Sequence, residues 1–136
     1  LIGKLKKAFL MVAGSAVQKY GPDLDAHQQL LMAAADILIE IYMAESTILR
    51  TEKMAKSQGR ENVKEQIAMA QLYLYEAVDI INSKGKEGIA SIAEGDEQRM
   101  MLMGLRRFTK YNTLPNVVGL RELIASKLVS ENEYCF

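Results

Sequence analysis

Apolar residues recur three and four positions apart along nearly the whole chain, and that rhythm predicts helices. Leu5, Phe9, Val12 and Ala16 share one side of a first helix, predicted over Ile2–Tyr20. Gly21 can take a left-handed conformation there, and Pro22 cannot continue a helix. Asp25, three residues before Gln28, resembles the start of a second helix that runs to about Ser57. Its stripe is Leu30, Ala34, Ile37, Ile41, Ala44 and Ile48, and Gly59 stops it. A third helix repeats the pattern through Val63, Ile67, Ala70, Leu74, Ala77 and Ile81. Such spacing holds one seam in line and favours nearly antiparallel packing at about 20°. Two glycines within Lys84–Gly88 predict an interruption, followed by a short helix over Glu87–Ala93. A fourth main helix is expected over Asp96–Tyr111, then a turn over Asn112–Pro115. Asn116 can cap a last helix carrying Val117, Leu120, Ile124 and Leu128. No strand alternation competes. The expected fold class is all-α, an up-and-down four-helix-type bundle with an additional short helix, residues 1–136 forming one bundle.

Charge narrows the partners. Seventeen basic and seventeen acidic side chains cancel, which argues against nucleic acid, whose phosphates call for a net basic face. The single cysteine, Cys135, rules out an intrachain disulfide and a thiolate zinc site. It is compatible with a reducing, cytoplasmic setting. Lysines followed by an apolar run near the N-terminus imitate a secretory signal, but the helical spacing there opposes that reading. The chain starts at Leu1 instead of an initiator methionine, so it is expected to be a piece of something longer. No apolar run approaches the 18 residues of a membrane span.

Chemistry is sparse. The glycines of Gly85–Lys86–Glu87–Gly88 lack both the spacing and the strand of a nucleotide loop. Gly14 and Ser15 do not make a nucleophile elbow. Asp36 with Glu40, and Glu76 with Asp79, are paired carboxylates, but a di-iron bundle needs two Glu-x-x-His motifs. The one histidine, His27, is expected on the surface of a first helical turn, and no metal is expected. Glu45 is the odd charge. On a helical wheel it falls among Leu38, Ile41, Tyr42 and Leu49, which makes it a candidate buried carboxylate. It is either a tuned acid or base, or a structural pair linking helices or subunits.

Residues 95–111, GDEQRMMLMGLRRFTKY, divide sharply on the wheel. Met100, Met101, Leu102, Gly104, Leu105, Phe108 and Tyr111 occupy one side, within about 200° of arc. Arg99, Arg106, Arg107 and Lys110 occupy the other, with Met103 among them. These five form a candidate interaction face. A basic amphipathic helix can bind a partner groove or an anionic membrane. A bundle helix has the same apolar face, however, and acids at its start with bases at its end complement the helix dipole. Packing is therefore favoured over a membrane surface.

The run AVQKYGPDLDAHQQLLMAAADILIEIYMAE, residues 16–45, resembles the C-terminal extension of the large acyl-CoA dehydrogenases. The very-long-chain enzymes share a similar pattern, matched here by Gly21, Pro22, Leu24, Gln29, Leu30, Leu31, Ala35 and Asp36. AEGDEQRMMLMGLRRFTKY and an ending at an aromatic residue look like bacterial members. The resemblance implies a parent that oxidises acyl-CoA to the trans-2-enoyl form, with a glutamate taking the α-proton and FAD the β-hydride. It implies no catalytic or cofactor-binding residue in this segment, since neither site can be matched here. The segment is expected to be a non-catalytic accessory bundle that serves assembly and stability. Its partner would be the catalytic core of the parent, in a homo-oligomer. The alternative is a peripheral membrane-association module using the basic helix.

Overall fold

Local signals set most helix ends in the computed structural model, which describes all of Leu1–Phe136. Helix α1 spans Ile2–Tyr20, and the Gly21 amide, at φ 49°, donates to the Val17 carbonyl. A single 3-10 stretch covers Gly21–Ala26 before α2, Gln28–Gln58. The start of α2 differs from the Asp25 cap expected: His27 carries the first carbonyl, accepting from the Leu30 and Leu31 amides. Its ring is half-buried against Tyr20, with centroids 3.7 Å apart, instead of lying free on the surface. Gly59, at φ 87°, ends α2, and a short 3-10 turn over Arg60–Val63 leads into α3, Lys64–Ile92. Helix α4 covers Gly95–Phe108 and α5 covers Val117–Glu131. Asn116 caps α5 as expected, its side chain accepting from the Gly119 amide at 3.1 Å. The fold is all-α, with five helices and no strand.

The predicted interruption over Lys84–Gly88 does not occur, and α3 runs unbroken to Ile92. The two glycines serve close packing. A Cβ at Gly85 would lie 2.7 Å from Leu105 Cδ1, and one at Gly88 would lie 2.7 Å from Val12 Cγ1. Helices approach this closely only where a side chain is missing, so the packing of α1 and α4 against α3 requires glycine.

The chain divides into two compact units. The first comprises residues 1–42 and 77–112, that is α1, the first part of α2, the last part of α3, and α4. Its core is made of large side chains. Leu5, Val12, Ile37, Ile81, Ile89 and Leu105 are fully enclosed, with Ala8, Ala16 and Ala33 filling between them. Polar ties close its ends: Lys19 Nζ donates to the Ile92 carbonyl at 2.6 Å, and Tyr20 Oη donates to the Ser91 carbonyl at 3.0 Å. Lys84 pairs with Glu87 at 3.0 Å and with Asp36 at 3.7 Å.

The second unit comprises residues 43–76 and 113–136. Its buried apolar groups are Ala44, Val63, Ala68 and Ala70, together with the buried polar residues Thr51 and Glu65. The Thr51 hydroxyl donates back to the Thr47 carbonyl at 2.9 Å. Helix α5 buries none of its side chains, although it carries Val117, Val118, Leu120, Leu123, Ile124, Leu128 and Val129. An ion pair from Arg121 to Glu76 at 3.1 Å ties it to α3.

Candidate interaction surfaces

Helix α4 is as divided in space as on the wheel. Met101 and Leu105 are buried, while Leu102, Gly104 and Phe108 are half-buried along the seam. Arg99, Met103, Arg106 and Arg107 all face solvent, as does Lys110, which lies beyond the end of α4 because the helix stops at Phe108 and not at Tyr111 as expected. Met100 does too, which differs from the expected apolar side; it lies at the edge of that sector on the wheel. Asp96 and Glu97 in the first turn and Arg106 and Arg107 in the last complement the helix dipole. Arg99 pairs with Asp96 at 3.2 Å, both highly exposed. In such surroundings an ion pair adds little stability.

Helix α2 presents a different kind of surface. Its inner side, Leu30, Ala33, Ile37 and Ile41, is buried in the first unit. Its outer side in the same unit is also apolar: Met32 is 57% exposed, Leu38 48%, Ile39 55% and Tyr42 67%. The carboxylates Asp36 and Glu40 are confined to one narrow edge. Beside this face, α1 and α2 flank a groove of about 240 Å³ lined by Phe9, Ala13, Val17, Leu31, Ala35 and Leu38.

Glu45 belongs to the second unit and is half-buried, not enclosed as a buried charge. The wheel placed it in an apolar sector, but Leu38, Tyr42 and Leu49 of that sector are exposed, so the sector is not core. The carboxylate that is buried is Glu65, in the first turn of α3, which sequence reasoning missed. A carboxylate is favoured at a helix N-terminus, and its place there after the Gly59 turn was the available signal. Lys127 of α5 is held above the usual lysine range mainly by its hydrogen bond and attraction to Glu131, with Cys135 and Glu65 adding to it.

The paired carboxylates do not gather into a metal site: no three His, Cys, Asp or Glu side chains lie close enough to hold one ion. Likewise, no helix is long and apolar enough to cross a membrane. A second apolar hollow of about 190 Å³, in the second unit, is lined by Ile48, Thr51, Ala55, Ile67, Ala70 and Leu74.

Against known proteins, residues 4–107 match the family model described as acyl-CoA dehydrogenase, C-terminal domain. The chain belongs to this family. A probable acyl-CoA dehydrogenase of Bacillus subtilis (strain 168) is 35% identical over 134 residues, covering 98% of this chain and 22% of the relative. An acyl-CoA dehydrogenase from Bacillus anthracis, crystallised in complex with FAD, superposes over 99% of this chain with a TM-score of 0.95 and 38% identity. That alignment takes up 23% of its length. The chain thus spans under a quarter of these dehydrogenases.

Two of the hollows in this segment do not suit a flavin. The α1–α2 groove offers alkyl and phenyl groups, with no donor for a pyrophosphate. The hollow at Ser15, Gln18, Lys19, Glu94 and Glu97 sets two carboxylates beside one cation, and that lysine already donates to the Ile92 carbonyl.

Proposed function

We propose that this segment is a non-catalytic accessory domain of an FAD-dependent acyl-CoA dehydrogenase of the large, very-long-chain-like type, serving the assembly and stability of its parent. The observation that carries the reading is the superposition of 99% of this chain onto 23% of a flavin-bound dehydrogenase. The match of residues 4–107 to a C-terminal domain model supports this reading, and the small share of the relatives that the segment spans supports placing the chemistry in the other three quarters. The partner is the catalytic core of that parent, the enzyme is cytoplasmic and homo-oligomeric, and Glu45 acts as a structural group.

Removing residues 1–136 from the parent tests this. The expected result is a flavoprotein with impaired assembly and a lowered thermal midpoint, while the excised segment neither takes up FAD nor turns over acyl-CoA. A flavin-coloured, active segment would overturn the proposal, as would an unaltered parent. Glu45→Gln in the parent should leave flavin content and turnover intact, at a stability cost below about 1 kcal/mol.

The exposed Met103 within a basic face is the one observation that favours peripheral membrane contact by α4. Co-sedimentation of the parent with anionic vesicles, abolished by Arg106→Glu with Arg107→Glu, would establish that second reading. Failure to co-sediment would dismiss it.

A further inference from the structure

We infer that the outer face of α2, together with the adjoining α1–α2 groove, is the surface on which the rest of the parent dehydrogenase packs. The inference rests on the accessory-domain reading and specifies where its partner lies.

Helix α2 is apolar on two opposite sides within the first unit. Leu30, Ala33, Ile37 and Ile41 point into the core, and Met32, Leu38, Ile39 and Tyr42 point out of it. A helix that is apolar nearly all round belongs inside a larger body. Soluble surfaces seldom keep contiguous apolar patches of this kind unless something covers them. The groove extends the patch onto α1 through Phe9, Ala13 and Val17. Aromatic, leucine, isoleucine and methionine side chains around a concave strip are what the desolvated centre of an interface requires.

The occupant follows from the length of chain involved. This segment accounts for 22–23% of the dehydrogenases it matches, so more than three times its own length of polypeptide is tethered to it. A covalently linked partner acts at high effective concentration, and a modest apolar face is enough to hold it. The face is nearly neutral, so it suits an apolar partner better than a charged one. The basic face of α4 has the opposite character. Its long cations are exposed, and burying them would carry a desolvation cost that the single exposed pair of Arg99 with Asp96 offsets only in part.

The test uses the full-length parent with the photocrosslinking residue p-benzoylphenylalanine at position 39 or 42, and at position 107 as a control. Peptide mass spectrometry then assigns the partner of each crosslink. Crosslinks from 39 and 42 to parent residues outside this segment, with none from 107, are the expected result. Crosslinks into residues 1–136 of a second copy would overturn the assignment, as would none from either position. Retained flavin reports that each labelled enzyme is folded. Position 32, on the same face, serves as a further site should the bulky ring disturb position 39. If crosslinks reach the core but truncation leaves assembly intact, the surface stands and the accessory role fails. Impaired assembly without those crosslinks gives the reverse.

Discussion

The outer faces of α2 and α4 both belong to the first unit and both face away from its core, yet they are built from opposite materials. Helix α4 turns Arg99, Arg106 and Arg107 outward and keeps Met101 and Leu105 in. Helix α2 turns Leu38, Ile39 and Tyr42 outward while also burying Ile37 and Ile41. The first is a finished amphipathic helix, whose charges are best left in water. The second has one face more than this segment can cover. A sharply divided helix attracts attention as a binding element, but division is what packing against one neighbour produces. The helix without division is the one that lacks a partner.

The largest contrast should come from the two sides of α4 itself. Leu105 is fully enclosed and presses on Gly85, so Leu105→Ala should cost about 3 kcal/mol in denaturant unfolding. Met103→Ala, on the solvent side, should stay within about 0.5 kcal/mol. Equal costs would erase the distinction between the inner and outer faces. Gly88→Val tests the close approach of α3 to α1. Its new Cβ would meet Val12 Cγ1 at 2.7 Å, and overpacking of this kind should cost about 2 kcal/mol. Gly3→Ala, where the added carbon meets open space, should not destabilise.

The smallest effect concerns the polar edge of α2. Lys84 is held above the ordinary lysine value of 10.5, first by its hydrogen bond to Glu87, then by the charges of Glu87 and Asp36. A raised folded value means the contribution is fully present below 10.5 and is lost as pH climbs through the folded value. Lys84→Met should therefore lower stability at neutral pH slightly and flatten the alkaline decline by the same small amount. A steeper decline in the variant would reverse the sign.

Much of this molecule was legible in its spacing. Leu5, Val12, Ile37, Ile41, Ala70 and Ile81 read as core from periodicity and are buried, and Asn116 read as a cap and acts as one. What periodicity does not carry is the identity of the neighbour. Gly85 and Gly88 looked like a break because their use depends on Leu105 and Val12, far away in sequence. Glu45 looked buried because the sector around it is apolar, but apolar does not mean covered by this chain. The same confusion hid the outer face of α2, where a wheel shows composition without showing which side has a partner. Glu65 was missed although its place in the first turn of α3 was readable; the Lys127 charge that interacts with it comes from α5, far away in sequence.

The contrast between α2 and α4 is most directly tested by the solvent access of single thiols in the full-length parent, with Cys135 replaced by serine. Ile39→Cys and Tyr42→Cys should react with a maleimide at least about a hundredfold more slowly than Arg107→Cys, an opening cost of roughly 3 kcal/mol. Equal rates at all three positions would mean that the outer face of α2 lies open in the whole enzyme, and would contradict the account.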